Sequence, residues 1–424
     1  MKANQADGWT TKTLSDLATI NMGQSPDSTT YNELGIGLPF LQGCGDFGKN
    51  HPETNSYCSS PSKQSKVGNI LISVRAPVGD MNTSDKEYCI GRGLAAIAGT
   101  HVESSYLRYS IEQHIAWLKR RGQGSTFEAI GSRDLNGFPV PIPKSSEVRN
   151  KITSILTTVD NLIDQTQNLI DKYTAVKQGM MADLFSRGID LTGTPETNKN
   201  YGQLRPNYEE APDLYQETEF GWIPKDWSLR TVDEVADVTK LAGFEFTLHF
   251  NYVERGEIIA LRALNIKNEK IDLTNIQRIY KRVSDKLPRS KLYIGDIVFT
   301  YIGAYIGDAV IIDENDKYHL APNICLIRPN QKKSAFFLFK QLRNETLYRQ
   351  MMSKTVTTAT PSLTMTQIRT LKLVWPELTE QIAIEARLKS TDKQLDNLSI
   401  ELKKYQKIKK GLMQDLLTGK VKVD

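Results

Sequence analysis

Apolar residues recur at alternating three- and four-residue steps along two long stretches of this chain. In the first, Ile152, Ile155, Val159, Leu162, Leu169, Tyr173, Val176 and Met180 form the stripe, which is broken at Thr166 and Asp183. In the second, Ile384, Leu388, Leu395, Leu398, Leu402, Tyr405 and Leu412 do the same, with a gap at Thr391 and a slip near Ile408. Such spacing is that of a coiled-coil seam and predicts two long helices. Elsewhere the pattern shifts to short apolar runs bounded by glycine. "GNILISVRAPVGD" (68–80) and "GDIVFTYIGAYIGD" (295–308) each give glycine, a short strand, a turn and then Val/Ile-Gly-Asp. Runs closing on proline, "FPVPIP" to Pro143 and "LKLVWP" to Pro376, precede the two helices, a normal place for proline.

These matches belong to one internal repeat. The helix ends "DKYTAVKQGMMADLFSRG" (171–188) and "KKYQKIKKGLMQDLLTGK" (403–420) place Tyr173 with Tyr405, Lys177 with Lys409, Met181 with Met413 and Asp183 with Asp415. Near the start of each half, Trp9, Thr13, Leu17 and Ala18 correspond to Trp227, Thr231, Val235 and Ala236. The predicted order is a first domain (1–143), a central long helix (144–188), a polar linker (189–220) with Pro195, Pro206 and Pro212, a second domain (221–376) and a C-terminal long helix (377–424). The entry "PKSSEVRNKITSIL" leaves the start of the first helix open by several residues. A helix of about 40 residues spans roughly 60 Å. The second helix can bury its stripe only by running back along the first. The expectation is a mixed α/β chain: two tandem domains, an antiparallel coiled coil and an approximate two-fold axis. Gly188 and Gly419 are expected helix stops, where glycine takes the left-handed conformation readily. Gly179 and Gly411, followed by Met180 and Leu412, lie inside the helices, where glycine costs roughly 1 kcal/mol relative to alanine. They are expected to admit a close backbone, from the opposite domain or a partner subunit.

A chain of 424 residues is long enough for two domains with separate cores. Its net charge of +5 is compatible with a nucleic-acid partner without requiring one. Cys44, Cys58, Cys89 and Cys325 are scattered, which argues against a zinc site or a disulfide framework. The most apolar window carries Asp296, Asp308 and several glycines, so a cytoplasmic protein with no membrane span is expected.

The chain is poor in catalytic signals. "GCGDFGKN" (43–50) fits G-x-G-x-x-G, but His51 and Pro52 follow where a phosphate site needs a helix to open. No Asn/Asp-Pro-Pro-aromatic tetrapeptide marks an amino-methyltransferase, and no G-x-S-x-G elbow marks a nucleophile. "ELK" (401–403) lies on the helical stretch without a paired acidic strand. What remains suits DNA. In "WLKRRGQGSTF" (117–127), Lys119, Arg120 and Arg121 end a predicted helix, followed by Gln123, Ser125 and Thr126. Cations neutralise phosphate or bond guanine, and glutamine reads adenine. Arg75 at a strand end, Arg262, Tyr301 and the hydroxyl-rich "TVTTATPSLT" (355–364) with Thr358 and Thr360 are further candidates.

In this order, "GQSPDSTTYNELGIGLPFLQGCGDFG", "SVRAPVGDMN" with "CIGRGLAAI", "GSTFEAIGSRDL", "ETEFGWIPKDW" and the twin "KQGMMADLF"/"KKGLMQDLL" helix ends resemble the specificity (S) subunits of type I restriction–modification systems, over essentially the full length. The resemblance implies two target recognition domains, each reading half of a split site in double-stranded DNA, with the helices as a ruler between them. It implies two methyltransferase (M) subunits and restriction (R) subunits as partners. S-adenosylmethionine, ATP and Mg would belong to those partners, with no cofactor in this chain. Base-contacting residues do not carry over from the family. A coiled-coil scaffold that binds only proteins, and a self-contained DNA methyltransferase, are the alternatives.

Overall fold

The computed structural model describes residues 8–122, 129–355 and 361–423. They form two compact units. One runs to Ile170 and resumes at Asn397; the other is Asp171–Asp396.

In the first unit the chain runs through β1 (Trp9–Thr13), β2 (Ala18–Met22), β3 (Ile70–Ser73), β4 (Met81–Thr83), β5 (Leu94–Gly99), α1 (Ser104–His114), α2 (Ala116–Gly122), β6 (Pro139–Pro143) and the early part of the long helix α3 (Ser146–Ser186). Thr13 ends β1 and starts a single helical turn, its N–H donating to Asp16 Oδ2 at 3.0 Å, a local reciprocal cap. The main sheet has the order β2-β5-β3-β4, antiparallel throughout. All of β3 is buried. Ile70 and Ile72 enter a core with Leu17, Tyr106 and Phe138, while Leu71 faces a second core with Leu41, Tyr88 and Ile90. That two-residue alternation lets one strand feed two cores. A second sheet of short strands contains one parallel pairing, Phe40 with Cys89. Ile152 and Leu156 of α3 close the main core together with Met413, Leu416 and Leu417. The Lys409 ammonium lies 2.9 Å from Asp160 and 3.2 Å from Glu112.

The second unit uses the same devices. Its elements are β7 (Ser228–Thr231), β8 (Ala236–Lys240), β9 (Ile297–Thr300), β10 (Ala309–Ile311), β11 (Ile324–Pro329), α4 (Ala335–Leu342), α5 (Glu345–Lys354), β12 (Lys372–Trp375) and the early part of α6 (Leu378–Leu416). The Thr231 N–H donates to Glu234 at 2.6 Å, and the main sheet runs β8-β11-β9-β10, again antiparallel. Ile297 and Phe299 enter one core and Val298 another. A parallel pair recurs as Ile259 with Tyr318. Late α3 meets early α6 here: Lys177 pairs with Asp392, and the Thr391 hydroxyl lies 3.8 Å from Met180 Sδ.

Two sequence expectations need correction. The apolar stripe of α3 is out of phase. Ile155, Leu169 and Val176 are exposed, whereas Leu156 is fully buried and Thr166, read as a gap, is 6% exposed. Its hydroxyl donates to the Leu162 carbonyl at 2.7 Å, so burial leaves no bare oxygen. An α-helix repeats at 3.6 residues rather than the 3.5 of a strict heptad, and the surface it meets decides which neighbour is covered. Segment 189–220 is also more than a tether. Ile189 is buried, Tyr215–Thr218 pairs with Gly221–Pro224, and Arg205 is 5% exposed. Glu380 at the start of α6 accepts from both Arg205 guanidinium nitrogens, from Trp227 Nε1 at 3.0 Å and from the Ile189 N–H at 2.7 Å. Gly179 and Gly411 are exposed, and a Cβ on either would meet no atom of this chain within 4 Å. Within its own unit, no backbone approaches either glycine. Both helix stops, in contrast, take positive φ, +63° at Gly188 and +70° at Gly419.

Candidate nucleic-acid interface

At the end of β3 the chain turns sharply through Val74–Asp80. Two backbone bonds fix the turn: Val74 N–H to the Gly93 carbonyl at 2.8 Å and Ile130 N–H to the Val74 carbonyl at 2.9 Å. Arg75 forms an isolated bridge with Ala129. Helix α2 packs on this turn, since a Cβ on Gly79 would sit 2.8 Å from the Ile115 side chain and 3.5 Å from Lys119 Cε. The strand end therefore carries Arg75, with the Arg92–Gly93 segment and Lys119 beside it, and Arg120 and Arg121 follow on α2; all five are exposed. Arg121 is the most constrained of them. Its guanidinium lies 3.3 Å over the Trp117 ring, and its Nε is 4.0 Å from Asp134. Trp117 in turn packs edge-on against buried Phe138, which holds the end of α2 to the core.

The second unit repeats the arrangement with other residues. After β9, the Leu363 N–H donates to the Tyr301 carbonyl at 2.9 Å, and the Tyr301 N–H to the Asn323 carbonyl at 3.4 Å. Ile302 bridges Ser362 where Arg75 bridges Ala129. Gly307 (φ +91°) matches Gly79 (φ +93°) in conformation, and a Cβ there would meet Met351 and Tyr348 of α5. Tyr305 is 49% exposed and Tyr348 48%.

The candidates thus divide. Lys119 lies at the Arg75 turn, Arg120 is exposed on the same helix, and Arg121 is turned to Trp117 and Asp134. Gln123, Ser125, Thr126, Thr358 and Thr360 lie outside the described residues. Arg262 is half-buried and donates to the Asn275 carbonyl at 2.9 Å, so it holds its own loop. Tyr301 is a correction: it is only 8% exposed within the core, and burial pushes its phenol pKa up. The position after a strand that looked like a ligand contact is a packing position, because β9 is covered on both faces. The sequence reading missed Arg92, set between Gly91 and Gly93 with its Nε donating to Ser25 Oγ at 3.2 Å. It also missed Tyr305 and Tyr348. The glycine flanks of Arg92 were legible as a turn; the tyrosines gave no signal before the turn and α5 were seen together. Among the described residues, no group of three or more His, Cys, Asp and Glu is placed to hold a metal ion, and no helix is long and apolar enough to cross a membrane.

The family model of the type I restriction modification DNA specificity domain matches residues 6–174 and 224–410. A putative type I restriction enzyme MjaX specificity subunit of Methanocaldococcus jannaschii is 37% identical over 164 residues, but the match spans only 38% of either chain. The MjaVIII specificity subunit of the same organism is 26% identical, over 76% of this chain and 71% of that one. The EcoDI specificity subunit of Escherichia coli is 20% identical, over 90% of this chain and 80% of that one. Among solved structures, the type I restriction–modification S subunit from M. genitalium matches with a TM-score of 0.59 at 14% identity, covering 98% of this chain and 97% of that one. These relatives are named as specificity subunits of type I restriction enzymes. With two matched stretches that together take in most of its length, the chain belongs to the type I restriction–modification DNA specificity family.

Proposed function

We propose that this chain is the DNA sequence-recognition subunit of a type I restriction–modification complex and binds a bipartite duplex site, one half per recognition domain. The observation that carries the reading is the twice-built strand-end turn, with its bridge (Arg75–Ala129, Ile302–Ser362) and its packed helix. Equivalent backbone in both units presents different side chains, which suits reading two different half-sites. Within each unit, residues from both long helices join the contacts, as Lys409 does with Asp160 and Lys177 with Asp392. This supports an antiparallel pair with an approximate two-fold repeat, acting as a ruler between half-sites. Two methyltransferase subunits would then meet equivalent helix ends, at Gly179–Met180 and Gly411–Leu412, where open space surrounds each glycine. Restriction subunits would join for cleavage. S-adenosylmethionine, ATP and Mg enter with those partners, and the complex works in the cytoplasm.

The test is selection from a randomised duplex library by the chain assembled with its methyltransferase subunits. Two short fixed blocks separated by a constant unread gap are expected. A single contiguous block, or no enrichment, contradicts the reading.

A further inference from the structure

The two strand-end turns correspond at their hydrogen bonds and bridges, the second being one residue longer between its first bond and its glycine. Val74 corresponds to Tyr301, Gly93 to Asn323, Arg75 to Ile302, Gly79 to Gly307 and Ala129 to Ser362. Arg92, next to Gly93, therefore corresponds to Pro322. On this frame the chemistry differs sharply between units. The first carries the exposed residues Arg75 and Arg92, with Lys119 of α2 beside the turn. The second puts Ile302 and Pro322 at the two arginine positions. Around its turn the aromatic rings of Tyr305 and Tyr348 are exposed, the latter 3.6 Å from where a Gly307 Cβ would stand. Cations are present too, Lys240 with its Nζ 5.8 Å from the Tyr301 ring and Arg349 paired with Glu345, but none occupies the two arginine positions.

These surfaces ask for different parts of the same ligand. Guanidinium and ammonium groups neutralise phosphate and release counterions, which is sequence-independent and steeply salt-dependent. Half-exposed tyrosines at a turn have no charge to offer phosphate. Their faces and hydroxyls instead suit sugars, base edges and thymine methyl groups, with little counterion release.

Resting on the recognition role proposed above, we infer that the two strand-end turns do different work: Arg75 and Arg92 supply phosphate attraction at the first, and Tyr305 with Tyr348 determines base preference at the second. Arg75 and Arg92 are correspondingly anchors of affinity in the first.

The library selection above, run on the assembled complex with variants, tests this. Arg75→Ala with Arg92→Ala is expected to leave both blocks recognisable while the slope of log affinity against log salt falls by about 2, near 0.9 per lost phosphate contact. Tyr305→Ala with Tyr348→Ala is expected to blur one block only, at unchanged salt slope. Tyr305→Phe with Tyr348→Phe keeps the rings and monitors folding, and at least part of that block should return. A wild-type complex that selects no bipartite site sinks the recognition role itself. A bipartite wild-type site whose blocks both survive the tyrosine-to-alanine change, or arginine variants with an unchanged salt slope, overturns this inference alone.

Discussion

Glu380 shows how much one buried carboxylate can organise. Its side chain is 5% exposed and that of Arg205 6%, and the pair ties the start of α6 to the segment that follows α3. Without Glu380, Arg205 keeps Asp226 at 2.6 Å, but the Trp227 Nε1 and Ile189 N–H donors lose their acceptor, so Glu380→Ala should destabilise this unit by about 2–4 kcal/mol. Arg205→Met combined with Glu380→Leu should cost clearly less than the sum of the single changes, which hydrogen exchange across residues 184–205 would reveal. Purely additive losses would mean the pair is not coupled. His319 gives a pH-dependent counterpart. It is fully buried, with Leu320 O 2.9 Å from Nδ1 and Leu287 O 3.3 Å from Nε2. Burial holds its pKa below the usual 6.5, against smaller opposing effects from those two carbonyls and Glu245. The fold thus prefers neutral imidazole while the unfolded chain protonates near 6.5. The contribution is present above that pH and is lost as pH falls toward the folded value, at no more than about 1.4 kcal/mol per pH unit. Exchange in the second unit at pH 7.5 and 5.5 should show the loss, and His319→Gln should flatten it. None of this was legible in the sequence. Arg205 lies in a polar, proline-containing stretch, and its burial depends on a carboxylate far along the chain.

At the scale of elements, much was legible where the signal was local. Glycine before a short apolar run marked β3 and β9. Glycine also marked both helix stops. Gly188→Ala should cost more than its backbone alone. It places a side chain at positive φ, at about 1–2 kcal/mol. The new Cβ would also stand 2.1 Å from Glu380 Oε1 and 2.4 Å from Trp227 Cζ2. Gly188→Ala is thus expected to lose roughly another 1–3 kcal/mol from overpacking. A loss in denaturant titration no larger than the backbone share would show that the Glu380 cluster yields. What could not be read was the phase of the long stripes. Ile155 and Leu156 are equally apolar, and only the core of the first unit decides between them. Tyr301 failed for a related reason: a strand covered on both faces leaves no exposed side for the tyrosine at its end.

For the whole molecule, the repeat was the most informative feature of the sequence, because it constrained architecture without naming any contact. It led to two units with matching sheet orders, each drawing on both long helices. The role of those helices as a ruler is the central claim, and inserting one heptad into each, between its two unit portions, tests it most directly. Seven residues add about 10.5 Å of helix and return nearly to the same face. At about 3.4 Å per base pair this is about three pairs. Long-read mapping of methylated bases in DNA modified by the complete complex would compare the unaltered chain with the inserted one. The account predicts the same two half-sites separated by a gap about three base pairs longer; half-sites retained at the original spacing would contradict it.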